Sequence, residues 1–177
     1  MAVIDVTDHV VNYLKEHFVG KGVTADGIKI GDSVNRYGVG NKTYASGSAT
    51  ISSFVSHNGK IEKAPIFDGY GYRSEMNLNY RFDGQTSSEK YQYPGRILID
   101  HPWGNLHPSG EIEFHIHAGQ DTNWTVTITR MTFENIAEDR PNKFIQEHVA
   151  SQFRGIMETL LPEAVASSPN PEVQPVG

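Results

Sequence analysis

Two periods of apolar residues run through this chain, and the switches between them mark its elements. Val6, Val10, Leu14 and Phe18 recur every four residues, which predicts an amphipathic helix over residues 6–18. Thr7 or Asp5 can cap it, Asp8 suits its N-terminus, and Gly20 and Gly22 end it. The period then drops to two. Met76, Leu78, Tyr80 and Phe82 alternate with Glu75, Asn77, Asn79 and Arg81, which is a strand with one buried face. Ile112, Phe114, Ile116 and Ala118 alternate in the same way with Glu111, Glu113, His115 and His117. A helical stripe returns near the C-terminus with Ile145, Val149, Phe153, Ile156, Met157 and Leu160, over residues 140–161.

Between these anchors the punctuation is glycine and proline. Residues 27–31 read as a short strand, and residues 32–44 as a loop or a bulged strand. Asn58-Gly59 predicts a tight hairpin turn between strands at 49–57 and 60–67, with Pro65 ending the second strand or lying at an edge. Asp83-Gly84 predicts another turn and residues 86–88 a loop. Residues 96–100 form a strand with a continuous apolar centre, followed by a rigid connection with two His-Pro pairs. Residues 110–133 form a second hairpin about Gly119-Gln120-Asp121. A three-residue loop there places Ile116 opposite Trp124, Phe114 opposite Val126 and Ile112 opposite Ile128. The polar face then pairs His117 with Asn123, His115 with Thr125 and Glu113 with Thr127. A slip of one residue would turn every apolar side chain to the wrong face. In the last helix, Asp139 and Pro141 suit the start, Gly155 suggests close approach to the sheet, and Pro162 is the expected stop.

Helix, strands, helix in that order predicts an α+β fold. The expectation is a twisted antiparallel sheet curled into a barrel or sandwich, with the N-terminal and the long C-terminal amphipathic helix packed on it. Residues 1–162 form one domain and 163–177 a Pro-rich, flexible tail. The 177 residues bury a sizeable core without staples, and the absence of cysteine excludes disulfides, thiolate metal sites and cysteine nucleophiles. A net charge of −6 without a Lys/Arg cluster gives no nucleic-acid footprint. No apolar run is long enough to span a bilayer and the N-terminus does not read as a secretory signal, so a cytoplasmic location is expected.

Chemistry concentrates in one stretch. His101, His107, His115 and His117 are half of the eight histidines. Two histidines at i, i+2 on a strand point the same way and can share one divalent transition metal, with Glu113, His101 or His107 as third ligand. The first functional reading is therefore a small-ligand-binding barrel, or an enzyme. Its catalytic residues are His115, His117 and Glu113, its metal ligands His115 and His117, and its ligand-binding residues Trp103, Tyr80, His101 and His107. Histidine suits acid/base work because it titrates near neutral pH. The second reading is a non-catalytic binding or assembly module, taking carbohydrate, a partner protein or a second copy of itself. Tyr70, Tyr72, Tyr91 and Tyr93 offer ring-stacking surface for it, and the tail offers a contact for a homo-oligomer.

Phe114-His115-Ile116-His117 with Gly119 and Asp121-Thr122 resembles the copper-ligand strand of copper/zinc superoxide dismutases. The His-x-His also resembles the first cupin motif. Each match covers fewer than ten residues. The downstream histidines and disulfide of the former are missing here, as are the glutamate and later histidine motif of the latter, so neither resemblance assigns a family.

Overall fold

The structure is a computed structural model. It describes residues 2–94, 99–118, 123–134 and 143–171, with the backbone alone for residues 99–105. The fold is α+β. Strand β1 (Ile4–Asp5) precedes helix α1 (Thr7–Phe18). Strands β2 (Gly22–Val34), β3 (Gly40–Ile66), β4 (Gly69–Tyr93), β5 (Ile99–Leu106), β6 (Ser109–Ala118) and β7 (Trp124–Glu134) follow. The chain then forms a π-helical turn, Ile145–Val149, that leads into helix α2 (Ala150–Ala166).

One long ribbon organises the sheet. β3 and β4 pair from Gly40↔Tyr93 to Ile66↔Gly69, turning at Phe67-Asp68. β2 lines the first half of β3 and β1 its far end. β6 pairs with β4 over Glu75–Asp83, β5 with β4 over Thr86–Gln92, and β7 lies outside β6. All pairings are antiparallel. The expected barrel does not form. The sheet is open, and among the described residues no ladder joins its outer strands.

Asn58-Gly59 and Asp83-Gly84 are not turns; both lie inside long strands, and residues 86–88 are strand as well. Gly59 does adopt the positive φ that a turn dipeptide favours, at +96°. The alternation nevertheless resumes after it, with Ile61, Lys63 and Pro65 all buried on one face. Continued pairing with β4 outweighs the local turn preference. Pro65 follows the last residue of β3 paired to β1, at an open edge as expected.

Both helices cover one face of the sheet. Val10, Leu14 and Phe18 of α1 and Phe153, Met157 and Leu161 of α2 meet Ile51, Ile61, Leu78, Tyr80, Phe82, Ile112, Phe114 and Ile116. The Phe18 ring lies 4.8 Å from Tyr80, 5.7 Å from Phe114 and 6.1 Å from Phe153, centroid to centroid. The N-terminus of α1 is tied down as its sequence suggests. The Asp5 carboxylate accepts the Thr7 N–H at 2.9 Å, and the Thr7 side chain first, then this backbone bond, hold that carboxyl below its ordinary range. Thr7 Oγ1 accepts the Ile61 N–H at 2.9 Å.

Two expectations for the last helix are overturned. Pro162 lies within α2, which continues to Ala166, because Leu161, Ala164 and Val165 are buried and outweigh the missing N–H. Gly155 faces solvent rather than the sheet, and a Cβ there would meet nothing within 4 Å. Gly155→Ala is therefore expected to stabilise the protein by about 1 kcal/mol, read from urea denaturation. A destabilised variant would show that this helical glycine has a packing role. Ser168 and Pro171 beyond the helix are also buried. The expected helix start at Asp139 and Pro141, the Gly119–Asp121 loop, residues 96–98 and the tail from 172 onward lie outside the described residues. Among the described residues no helix is long and apolar enough to cross a membrane.

Candidate functional site

Strand alternation assigns the histidines to the outer face of the sheet. Ile112, Phe114 and Ile116 turn inward and are fully buried. Glu113 and His115 on the other face are half-buried, and His117 is exposed. Over residues 114–117 the register differs from the expected one by two residues, with Ile116 paired to Val126, His117 to Thr125 and His115 to Thr127; past the bulge, at Glu113 and Ile112, it differs by three. An even shift leaves each side chain on its predicted face, so alternation alone could not distinguish the two. It places Ala118 opposite Trp124, whose ring packs 5.6 Å from that of Tyr72. Thr129 is then an extra residue between Ile128 and Arg130, which oppose Phe114 and Glu113. Its hydroxyl donates to the Glu113 backbone carbonyl at 3.2 Å and to Glu113 Oε1 at 3.0 Å.

These side chains are occupied by their neighbours. His115 Nδ1 lies 3.0 Å from Asn77 Oδ1, and Glu113 Oε2 lies 3.5 Å from the Arg130 guanidinium. The other nominated residues are elsewhere. His101 pairs with Lys90 on β4, thirteen positions beyond the Asn77 that faces His115, or about 40 Å of strand path at ~3.3 Å per residue. His107 is exposed in the connection before β6. The side chains of His101 and Trp103 lie outside the described residues. Tyr80 is on the inner face, fully buried, and cannot wall a pocket with the histidines. Burial pushes its phenol well above the ordinary range. Among the described residues, a transition metal on His115 and His117 finds no third ligand. Among the described residues no group of three or more histidine and acidic side chains is placed to hold one.

The best-formed concavity is at the other end of the ribbon. Thr43 and Ala45 turn inward and are buried, so Lys42, Tyr44 and Ser46 turn outward beside Ser87, Glu89 and Tyr91 of β4. On β2 a bulge between Ala25 and Ile28, with Gly27 at φ +59°, brings Asp26 and Gly27 to the rim. Together they line a cleft of about 490 Å³. The Tyr44 and Tyr91 rings meet edge to face at 5.7 Å and 72°. Tyr91 Oη donates to Glu89 Oε2 at 2.6 Å. Ser46 Oγ donates to Asp26 Oδ1 at 2.9 Å and accepts the Gly27 N–H at 2.8 Å. Among the described residues, the cleft thus combines an aromatic corner with fixed hydroxyls and carboxylates and one cation, Lys42.

Sequence reasoning missed this site. Its signal was the alternation of Lys42, Tyr44 and Ser46 with buried small residues, which begins in a segment read as a loop or a bulged strand. The four grouped tyrosines separate. Tyr91 and Tyr93 are at this end, and Tyr70 and Tyr72 are on the inner face beside the β3–β4 turn.

No protein-family model matches the chain, and no curated protein matches it as a relative.

Proposed function

We propose that this chain is a binding protein that takes a small, neutral, polyhydroxylated ligand of carbohydrate type in the Tyr44–Tyr91 cleft. The observation that carries the reading is the aromatic corner ringed by hydroxyl and carboxylate groups. A sugar ring has apolar C–H faces and polar hydroxyl edges. The former stack on tyrosine, and the latter exchange hydrogen bonds with Ser46, Ser87, Asp26 and Glu89. The cleft volume suits one or two sugar rings and falls within the roughly 300–1,000 Å³ of small-molecule sites. Lys42 beside two carboxylates favours a neutral ligand over a strongly charged one. The half-buried His115 and exposed His117, on the outer face of an open sheet, favour an open polar surface over an enclosed reaction chamber.

Calorimetric titration with a panel of neutral mono- and disaccharides tests this. At least one is expected to bind, and Tyr44→Ala to weaken it by tenfold or more while the melting temperature stays within a few degrees. A panel with no binder, or a Tyr44→Ala variant that binds undiminished, would sink the proposal.

A further inference from the structure

Among the described residues, the inner face of the ribbon holds a charge without a counter-charge. Lys63 is 1 % exposed. Its ammonium reaches Ser168 Oγ at 3.3 Å and the Ser168 carbonyl at 3.4 Å, and lies 4.8 Å from the Tyr70 ring centre and 5.8 Å from that of Tyr72. Glu62, its neighbour in sequence, points to the opposite face and pairs with Lys60 at 2.6 Å. Among the described residues no carboxylate forms an ion pair with Lys63. Burial alone holds its ammonium below the ordinary lysine range, with no charged neighbour offsetting it. A buried cation satisfied by two serine oxygens and ring faces is under-compensated by one negative charge.

A second buried donor lies beside it. Lys63 pairs with Tyr72 and Ile61 with Ser74, so Ser74 is the diagonal neighbour of Lys63 on the same face. Ser74 is 3 % exposed, and its hydroxyl has no partner. Ser74 and Tyr72 also line a groove of about 740 Å³ that opens where β6 ends. Lys60, already paired with Glu62, and Arg73, His117 and Glu75 also line it among the described residues. Two under-satisfied donors side by side on the inner face call for an anion. The Tyr72 and Trp124 rings, in contact at 5.6 Å, call for an apolar body attached to it.

We propose that this end of the ribbon is a binding site for a small carboxylate carried on an aromatic or aliphatic body. The carboxylate displaces Ser168 from Lys63 and is met by the Ser74 hydroxyl. The site is separate from the Tyr44–Tyr91 cleft and does not depend on it.

Benzoate and its neutral analogue benzyl alcohol are the probes, applied to the full chain. Benzoate is expected to raise the melting temperature by a few degrees in a saturable way, and benzyl alcohol to leave it unchanged. Lys63→Met, which keeps the length of the side chain and removes the charge, is expected to abolish the benzoate response. Lys21→Met on the exposed surface and Tyr44→Ala in the cleft are expected to keep it. In protein carrying ¹³C-labelled lysine, the Lys63 ε-carbon signal is expected to move on titration with benzoate. This second readout holds even if Lys63→Met does not fold. No response of the wild type, an equal response to benzyl alcohol, a response kept in Lys63→Met, or a stationary Lys63 signal would each overturn the proposal.

Discussion

Phe18→Ala is expected to destabilise the protein by about 3–5 kcal/mol, the usual cost of emptying a fully buried phenylalanine site. Phe18 is the last residue of α1, yet its ring touches Tyr80 of β4, Phe114 of β6 and Phe153 of α2. It is therefore where both helices and the centre of the sheet meet. The surrounding rings belong to three different elements, so no single shift can close the cavity. Against a typical total of roughly 5–15 kcal/mol, this is about a fifth of the stability or more. Urea denaturation followed by far-UV circular dichroism measures it. A loss below about 1.5 kcal/mol would mean that α1 is not anchored through this ring.

Gly59→Ala is expected to be nearly as damaging, although it adds one methyl group. Gly59 has φ +96°, and an added Cβ would sit 2.2 Å from the Glu75 carbonyl oxygen and 2.7 Å from Met76 Cα. Both obstacles are backbone of the partner strand and cannot rotate away. Strain at a φ that L residues avoid costs about 1–3 kcal/mol, and overpacking typically about 1–3 kcal/mol more. Gly38→Ala is the control. Gly38 also has a positive φ, +79°, but a Cβ there meets nothing within 4 Å. The alanine at position 38 should therefore show the strain alone. Equal losses at the two positions would show that the β3–β4 ladder yields at Gly59.

The same glycine shows how far the sequence could be read. Its dipeptide correctly signalled a positive φ, and the inference from there to a hairpin turn failed. A local preference fixes one residue's conformation, whereas the direction of the chain afterwards depends on β4, whose residues come later. Elements whose evidence is contained within themselves were legible, namely the α1 stripe, the α2 stripe, and the inward and outward faces of β4 and β6. The His115–His117 face was assigned correctly because alternation is a local property. Whether that face was enclosed depended on closure of the sheet, which no single strand encodes. The cleft was invisible for the same reason. Asp26, Tyr44 and Glu89 come from three strands and meet only through the β2 bulge and the β3–β4 register.

The order of elements has a consequence for biosynthesis. Every strand precedes α2 in the chain, and α2 supplies Phe153, Met157 and Leu161 to the core. A nascent chain can zip its ribbon and add β6 and β7 before that cover has left the ribosome. For that interval Leu78, Phe82, Phe114 and Ile116 form a wet, sticky plane. The window closes only when the final quarter of the polypeptide arrives. Premature termination in that stretch would release a sheet with half its lid, a species suited to chaperone capture or to self-association.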